Sequence, residues 1–431
     1  MATGTASAGL TLQNVVTCPH CWKKFPPEES LWIAEHPDVI GDVKLGAEYA
    51  KRFLPSRFTV EGDALDEAGY RSSRLACPEC HLEVPRALYQ IAPLFFSILG
   101  APACGKSYFL ASMTWKMRQM LPSKFALSMN DADAIANARL HEYEEKQFLN
   151  PDPDALVAIE KTEAQGDLYD TVNMGDHSLV LPRPFMFTLQ PLSKHINYKS
   201  NKRVSRVMCL YDNAGESFLP GADTATSPVT RHLALSKCLF FLFDPTQDPR
   251  FRRACQGKSA DPQMAPRSSR LSREASVRQD TILLEAINRV RRHAGLREDD
   301  LHQRPLTIVV TKWDSWEKLI PGLTHEDPYI DDPKLGVRSL DGQRIESVSQ
   351  QVGDLLRELT PEIVAGAEGF AKDLTFLPVS AIGRSPEVDP LSGALGVRPK
   401  DMDPYWVEVP VLHAISRWAS GLVPTTNKPN P

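Results

Sequence analysis

The residues Gly100-Ala101-Pro102-Ala103-Cys104-Gly105-Lys106-Ser107 fit the pattern G-x-x-x-x-G-K-[ST]. Each fixed type in that pattern has a chemical reason. Glycines let backbone N–H groups curl around an anion. The lysine reaches the β- and γ-oxygens of a nucleotide, and the hydroxyl after it joins a Mg²⁺ shell. A helix starting at this point adds the positive end of its dipole. Nucleotide contacts are therefore expected from Gly100, Ala103, Cys104, Gly105, Lys106, Ser107 and Tyr108. Lys106 is also expected to act in catalysis, and Ser107 to hold magnesium.

Two further stretches bear on which nucleotide is held and whether it is cleaved. Thr311-Lys312-Trp313-Asp314 follows an apolar run. An aspartate there accepts both N1–H and the 2-amino group of guanine, a donor pair adenine lacks. The lysine stem can lie over the base, and Ser380-Ala381 can offer backbone N–H to the guanine O6. Upstream, Leu210-Tyr211-Asp212-Asn213-Ala214-Gly215-Glu216-Ser217 ends another apolar run. Asp212 suits a magnesium partner, and Gly215 an N–H that meets the last phosphate. Asp244, at the end of Leu239–Asp244, competes for the metal role, and Asp212 is preferred because Gly215 follows it at switch spacing.

Four cysteines form two C-P-x-C turns, Cys18/Cys21 and Cys77/Cys80. Each turn points two thiolates at one ion, and two turns complete a tetrahedral Cys₄ zinc site. Such a site is closed, so it is structural and brings no metal catalysis. His20 and His81 sit beside the ligands and are expected to be bystanders. The long spacer, residues 22–76, must loop out.

The order of cradle, Asp212-x-x-Gly215, Thr311-Lys312-x-Asp314 and Ser380-Ala381 resembles the translation-factor-like and Ras-like class of P-loop GTPases, over about residues 91–423. The resemblance implies a doubly wound, mostly parallel α/β sheet with the nucleotide at the strands' C-terminal ends. It also implies a threonine from a first switch, for which Thr171 is chosen over Thr188. The chain departs from the pattern at Thr311, where Asn is commoner, and at Glu216, where a water-orienting Gln is usual. Glu accepts a hydrogen bond from water but donates none to the γ-phosphate, so hydrolysis is expected to be slow without a partner that supplies positive charge. The cysteine turns resemble a zinc ribbon. Their pairing with this switch segment resembles, more loosely, the double-GTPase families predicted in bacterial conflict and defence systems.

The elements that must position these groups are readable from periodicity. Apolar runs at Leu94–Leu99, Phe185–Leu189, Val207–Tyr211, Cys238–Phe243, Leu306–Val310 and Leu374–Val379 read as strands. Helical spacing marks Ser107–Met120, Ala134–Gln147, Thr281–His293 and Pro410–Ala419. Strands alternating with helices argue for α/β. The predicted organisation is a disordered 1–16, a zinc ribbon at 17–86, a nucleotide-binding domain at 91–423 with a flexible basic insertion at 250–278, and a disordered 424–431.

With 431 residues, 42% apolar and 24% charged, the chain is a large globular one. A net charge of −5 gives no global reason for nucleic-acid binding. No membrane-length apolar run and no signal-peptide pattern are visible, and the expected compartment is cytoplasmic. The predicted function is a GTP/GDP switch using Mg²⁺, with a zinc module for docking a protein effector or activator. Two alternatives remain: a GTP-loaded adaptor that barely hydrolyses, and a nucleic-acid-associated NTPase using the ribbon and the 250–278 segment.

Overall fold

A computed structural model describes residues 12–158, 168–213, 218, 231–265, 277–332, 335–391 and 393–426. The strand β1 (Ala92–Gly100) enters from the cysteine-rich N-terminal part. The helix α1 (Lys106–Met120) follows it. Next come β2 (Leu127–Asp131), α2 (Ala138–Phe148), a hairpin of β3 (Tyr169–Met174) and β4 (His177–Pro182), then β5 (Phe185–Pro191) and β6 (Arg206–Asp212). After these lie α3 (Arg231–Leu235), β7 (Cys238–Phe243), α4 (Pro249–Ala254), α5 (Gln279–Ala294), β8 (Leu306–Val310), α6 (Trp313–Trp316), α7 (Gly342–Leu359), α8 (Pro361–Glu368), β9 (Leu374–Pro378) and α9 (Val409–Trp418).

The central sheet has seven strands in the order β2-β5-β6-β1-β7-β8-β9. The run from β6 to β9 is parallel, while β5 is antiparallel to both β6 and β2. This is a mixed α/β fold with a mostly parallel sheet, consistent with a P-loop-like architecture. Parallel strands buried on both faces need continuous apolar runs. β7, Cys-Leu-Phe-Phe-Leu-Phe, meets that need with every residue buried.

The pleat sorts β1 and β6 between two layers. Leu94, Phe96, Ile98, Met208 and Leu210 join the main core with Phe109, Leu110, Met113 and Met117 of α1. Phe95, Val207, Cys209 and Tyr211 face the other way, into a second core built with Val16, Trp22, Phe25, Leu82 and the metal-type cysteines. The cysteine module therefore roofs one face of the sheet. The physical reason is the strand period of two, which gives alternate residues to opposite layers.

Several expectations are revised. The edge strand β2 was not foreseen, although Leu127 and Met129 alternate with polar residues. α2 begins at Ala138, later than expected, because the Asp133 carboxylate takes the N–H groups of Ile135 and Ala136 in a turn. The first half of 250–278 is not a solvated loop. Asp248 caps α4, and Phe251, Asp261 and Met264 are buried; residues 266–276 lie outside the described residues. At the ends, Val16 already pairs with Phe25, and Thr425 pairs with Leu340. Among the described residues no helix is long and apolar enough to cross a membrane.

Candidate functional site

Strand register brings the predicted motifs to one end of the sheet. Ile98 lies opposite Asp212, Gly100 opposite Leu242, Phe243 opposite Val310, and Val310 opposite Pro378. Because these strands are parallel, the loops after each of them emerge together. Those loops carry the 100–107 cradle, Asp212-Asn213, Asp244, Thr311–Asp314 and Ser380-Ala381.

The cradle has the backbone that the motif demands. Ala103 (φ 58°) and Gly105 (φ 92°) are left-handed, which turns successive N–H groups inward. At Gly100 the constraint is space: a Cβ would sit 2.8 Å from the Leu242 carbonyl oxygen and 2.7 Å from Cys104 Sγ. Lys106 is buried and donates to the carbonyls of Gly100 (3.2 Å) and Ala101 (3.1 Å). Its ammonium thus lies along the mouth of its own loop. Cys104 is buried behind it, and burial pushes its thiol up.

In the loop after β8, Lys312 takes a left-handed backbone (φ 56°), and the Trp313 N–H donates to the Val379 carbonyl. Asp314 is half-buried, and Ser380 Oγ donates to its Oδ1 at 2.5 Å. Burial raises the Asp314 carboxyl, and the Ser380 bond opposes that. The Ser380 N–H is committed to the Tyr405 carbonyl at 3.0 Å. Any backbone donation to a base therefore falls to Ala381, which narrows the expected pair to one. Thr311 bonds back to Phe243 through both its N–H and its hydroxyl, so it locks β8 to β7.

Lys312 also makes a contact that its motif does not foretell. Its Nζ lies 2.7 Å from Asp244 Oδ2 and 2.9 Å from Thr246 Oγ1. Asp244 Oδ1 accepts from the Thr246 N–H and hydroxyl. Both Asp244 oxygens are thus engaged by Lys312 and Thr246. Buried Asp261 stands nearby, its carboxyl raised to about 6 by burial and further influenced by the charges of Lys312, Asp314 and Asp244.

Thr171 sits exposed on β3, and the buried face of its hairpin, Val172 and Leu181, goes to the cysteine module. The hairpin's two-residue turn, Gly175-Asp176, is a signal the sequence does carry. Gly215 and Glu216 lie outside the described residues. Ser107, Tyr108 and Asp212 are described, and Asp212 is buried at the end of β6.

The four cysteines converge as expected. Their sulfurs all lie within 4.8 Å of one another, with Cys18–Cys80 at 3.6 Å and Cys21–Cys77 at 3.7 Å. A Zn–S bond of about 2.3 Å in a tetrahedron requires S–S separations of about 3.8 Å. The two turns repeat one geometry. Cys18 N–H bonds the Lys23 carbonyl and Cys77 N–H the Leu82 carbonyl, while the following Trp22 and His81 are left-handed. Hydrogen bonds from neighbouring thiols hold Cys77 down, whereas burial pushes Cys18 up. It is the convergence of four sulfurs at these separations that suits the set to a divalent cation. His20 turns its ring to the carbonyls of Pro182 and Glu83, and His81 bonds Asp42. Neither faces the cluster as a ligand.

No family model and no curated protein matches the chain. Among solved structures it aligns with a crystal structure of sup35 complexed with GDP. The identity is 12% and the TM-score 0.21, over 70% of this chain and 40% of that one. The alignment spans less than half of that protein, and a likeness this low carries no argument about the site.

Proposed function

We propose that the chain is a guanine-nucleotide switch protein that hydrolyses GTP slowly with Mg²⁺ and carries a structural zinc module. The observation that supports this most is the shared end of the parallel sheet. There the cradle, Asp212, the Lys312/Asp314 pair and Ser380-Ala381 stand on strands in matched register. Lys106 would leave its own loop carbonyls for phosphate oxygens. Ser107 and Asp212 are the residues offered to the metal, which when bound neutralises phosphate charge. Asp314, held by Ser380, would accept the guanine N1–H and 2-amino group, and Ala381 would donate to O6. Glu216, by its chemistry, favours a slow enzyme.

The test is nucleotide competition on the purified full chain. GTP and GDP should displace a fluorescent guanine nucleotide, and ATP should not. Asp314→Ala should lower guanine affinity about 100-fold or more, as expected for loss of two hydrogen bonds to a charged acceptor. Equal competition by ATP would end the guanine assignment. Single-turnover phosphate release, compared with Lys106→Ala, separates the slow enzyme from a GTP-loaded adaptor. A rate no higher than that of the variant would leave only the adaptor.

A further inference from the structure

One buried chain of side chains runs from the cysteine turn to the residues on either side of Asp212. Pro19 lies between the ligands Cys18 and Cys21, and its carbonyl accepts from Tyr211 Oη at 2.6 Å. The same hydroxyl accepts from Trp22 Nε1 at 2.9 Å, and Trp22 directly follows Cys21. The Tyr211 ring stacks on His232, with centroids 4.5 Å apart and planes at 10°. His232 Nε2 then meets Asn213 Oδ1 at 2.8 Å, and Asn213 Nδ2 donates to the Ile98 carbonyl at 3.1 Å. That carbonyl lies two residues before the cradle. On its other side His232 Nδ1 meets Ser97 Oγ at 2.6 Å. With Asn213 Nδ2 donating to Ile98, Asn213 Oδ1 is the acceptor, so His232 donates to it from Nε2.

Trp22, Tyr211, Asn213, His232 and Ser97 are all buried, none more than 6% exposed. A packing contact between a module and a sheet needs only apolar residues. A dry polar chain is costly unless every member is satisfied, and when satisfied it fixes one arrangement. Here it clamps Tyr211 and Asn213, the two neighbours of the predicted magnesium partner. A metal that orders Cys18–Cys21 also fixes the Pro19 carbonyl and the Trp22 indole. Tyr211 is then held, and Asp212 is ordered before nucleotide arrives. Less ordering remains for nucleotide binding to impose.

We propose that Tyr211, His232 and Asn213 are positioning residues that couple the four-cysteine centre to the nucleotide site, so that Zn²⁺ and guanine nucleotide each raise the other's affinity. The inference rests on the nucleotide reading above and on zinc at the four sulfurs. Linkage requires one factor in both directions.

The test uses the full chain. GDP and a non-hydrolysable GTP analogue are titrated before and after zinc removal. Zinc affinity is measured against a chromophoric chelator, with and without saturating nucleotide. We expect the same gain both ways, about fivefold or more. Tyr211→Phe keeps the ring stack but deletes the hydroxyl. It should still bind about one zinc per chain, while the gain falls toward one. Trp22→Phe serves as a second variant should Tyr211→Phe fail to fold. Arg74→Ala, in the same module but paired with Glu35 and Glu83, should keep the full gain. A wild-type gain under about twofold, well below the usual range of coupling, overturns the coupling, as does a full gain in Tyr211→Phe. Zinc binding without any guanine binding would instead remove the nucleotide reading, and the inference with it. Guanine binding without zinc would remove the metal.

Discussion

Replacing Lys312 with methionine would expose how far the proposed base recognition and fold stability share one ion pair. The Asp244 side chain is 1% exposed and that of Lys312 is 20% exposed. Among the described residues, removing the ammonium leaves Asp244 only the N–H and hydroxyl of Thr246 as donors. Breaking a buried pair from one side costs about 3–5 kcal/mol. Water reaches the lysine end, so the lower figure of about 3 kcal/mol applies. In a chain of this size that corresponds to a fall in Tm of about 3 °C. The assay is scanning calorimetry without nucleotide, so that lost ligand binding does not enter. Adding Asp244→Asn removes the stranded charge but keeps an acceptor for Thr246. The double variant should regain more than half of the loss. A Lys312→Met protein that melts like wild type would refute the reasoning, and so would a double variant as unstable as the sum of the singles.

Two other predictions separate neighbouring residues of the same site. Gly100→Ala must push a Cβ into the Leu242 carbonyl, whereas a Cβ at Gly105 would meet, among the described residues and beyond its chain neighbours, no atom within 4 Å, and only the positive φ is strained. Gly105→Ala should thus cost about 1–2 kcal/mol and still fold, while Gly100→Ala should lower Tm more and abolish nucleotide binding. Equal effects would argue against the close approach. Asp261 has a folded pKa of about 6 against an ordinary carboxyl near 4. The proton is held more tightly in the fold, so its contribution is full below pH 4 and is lost as pH rises through 6. The loss is roughly 2–3 kcal/mol. Asp261→Asn should flatten Tm between pH 4 and 7, and an unchanged slope would count against the burial argument.

The cradle, the Thr311–Asp314 motif and the paired cysteine turns are legible in the chain because their chemistry is local. Each depends on residue types a few positions apart, and on a backbone that only those types adopt. Six strands of the sheet are legible for a related reason: a strand buried on both faces must be apolar along most of its length. The first switch is less so. Thr171 follows a plausible spacing, yet its hairpin packs on the cysteine module, which no spacing rule conveys.

Other features depend on contacts between distant positions. Lys312 reaches Asp244 across 68 residues, and Trp22 meets Tyr211 across 189. Periodicity assigns Tyr211 to a face of β6, but not to what covers that face. The roof is set by folding, because the sheet's exposed apolar row and the module's own apolar side are each too large to leave in water. Burying them together drives the Tyr211 hydroxyl and the Trp22 indole into a dry interior where each needs a partner. That is why two motifs that read as separate domains in the chain share one core in the fold.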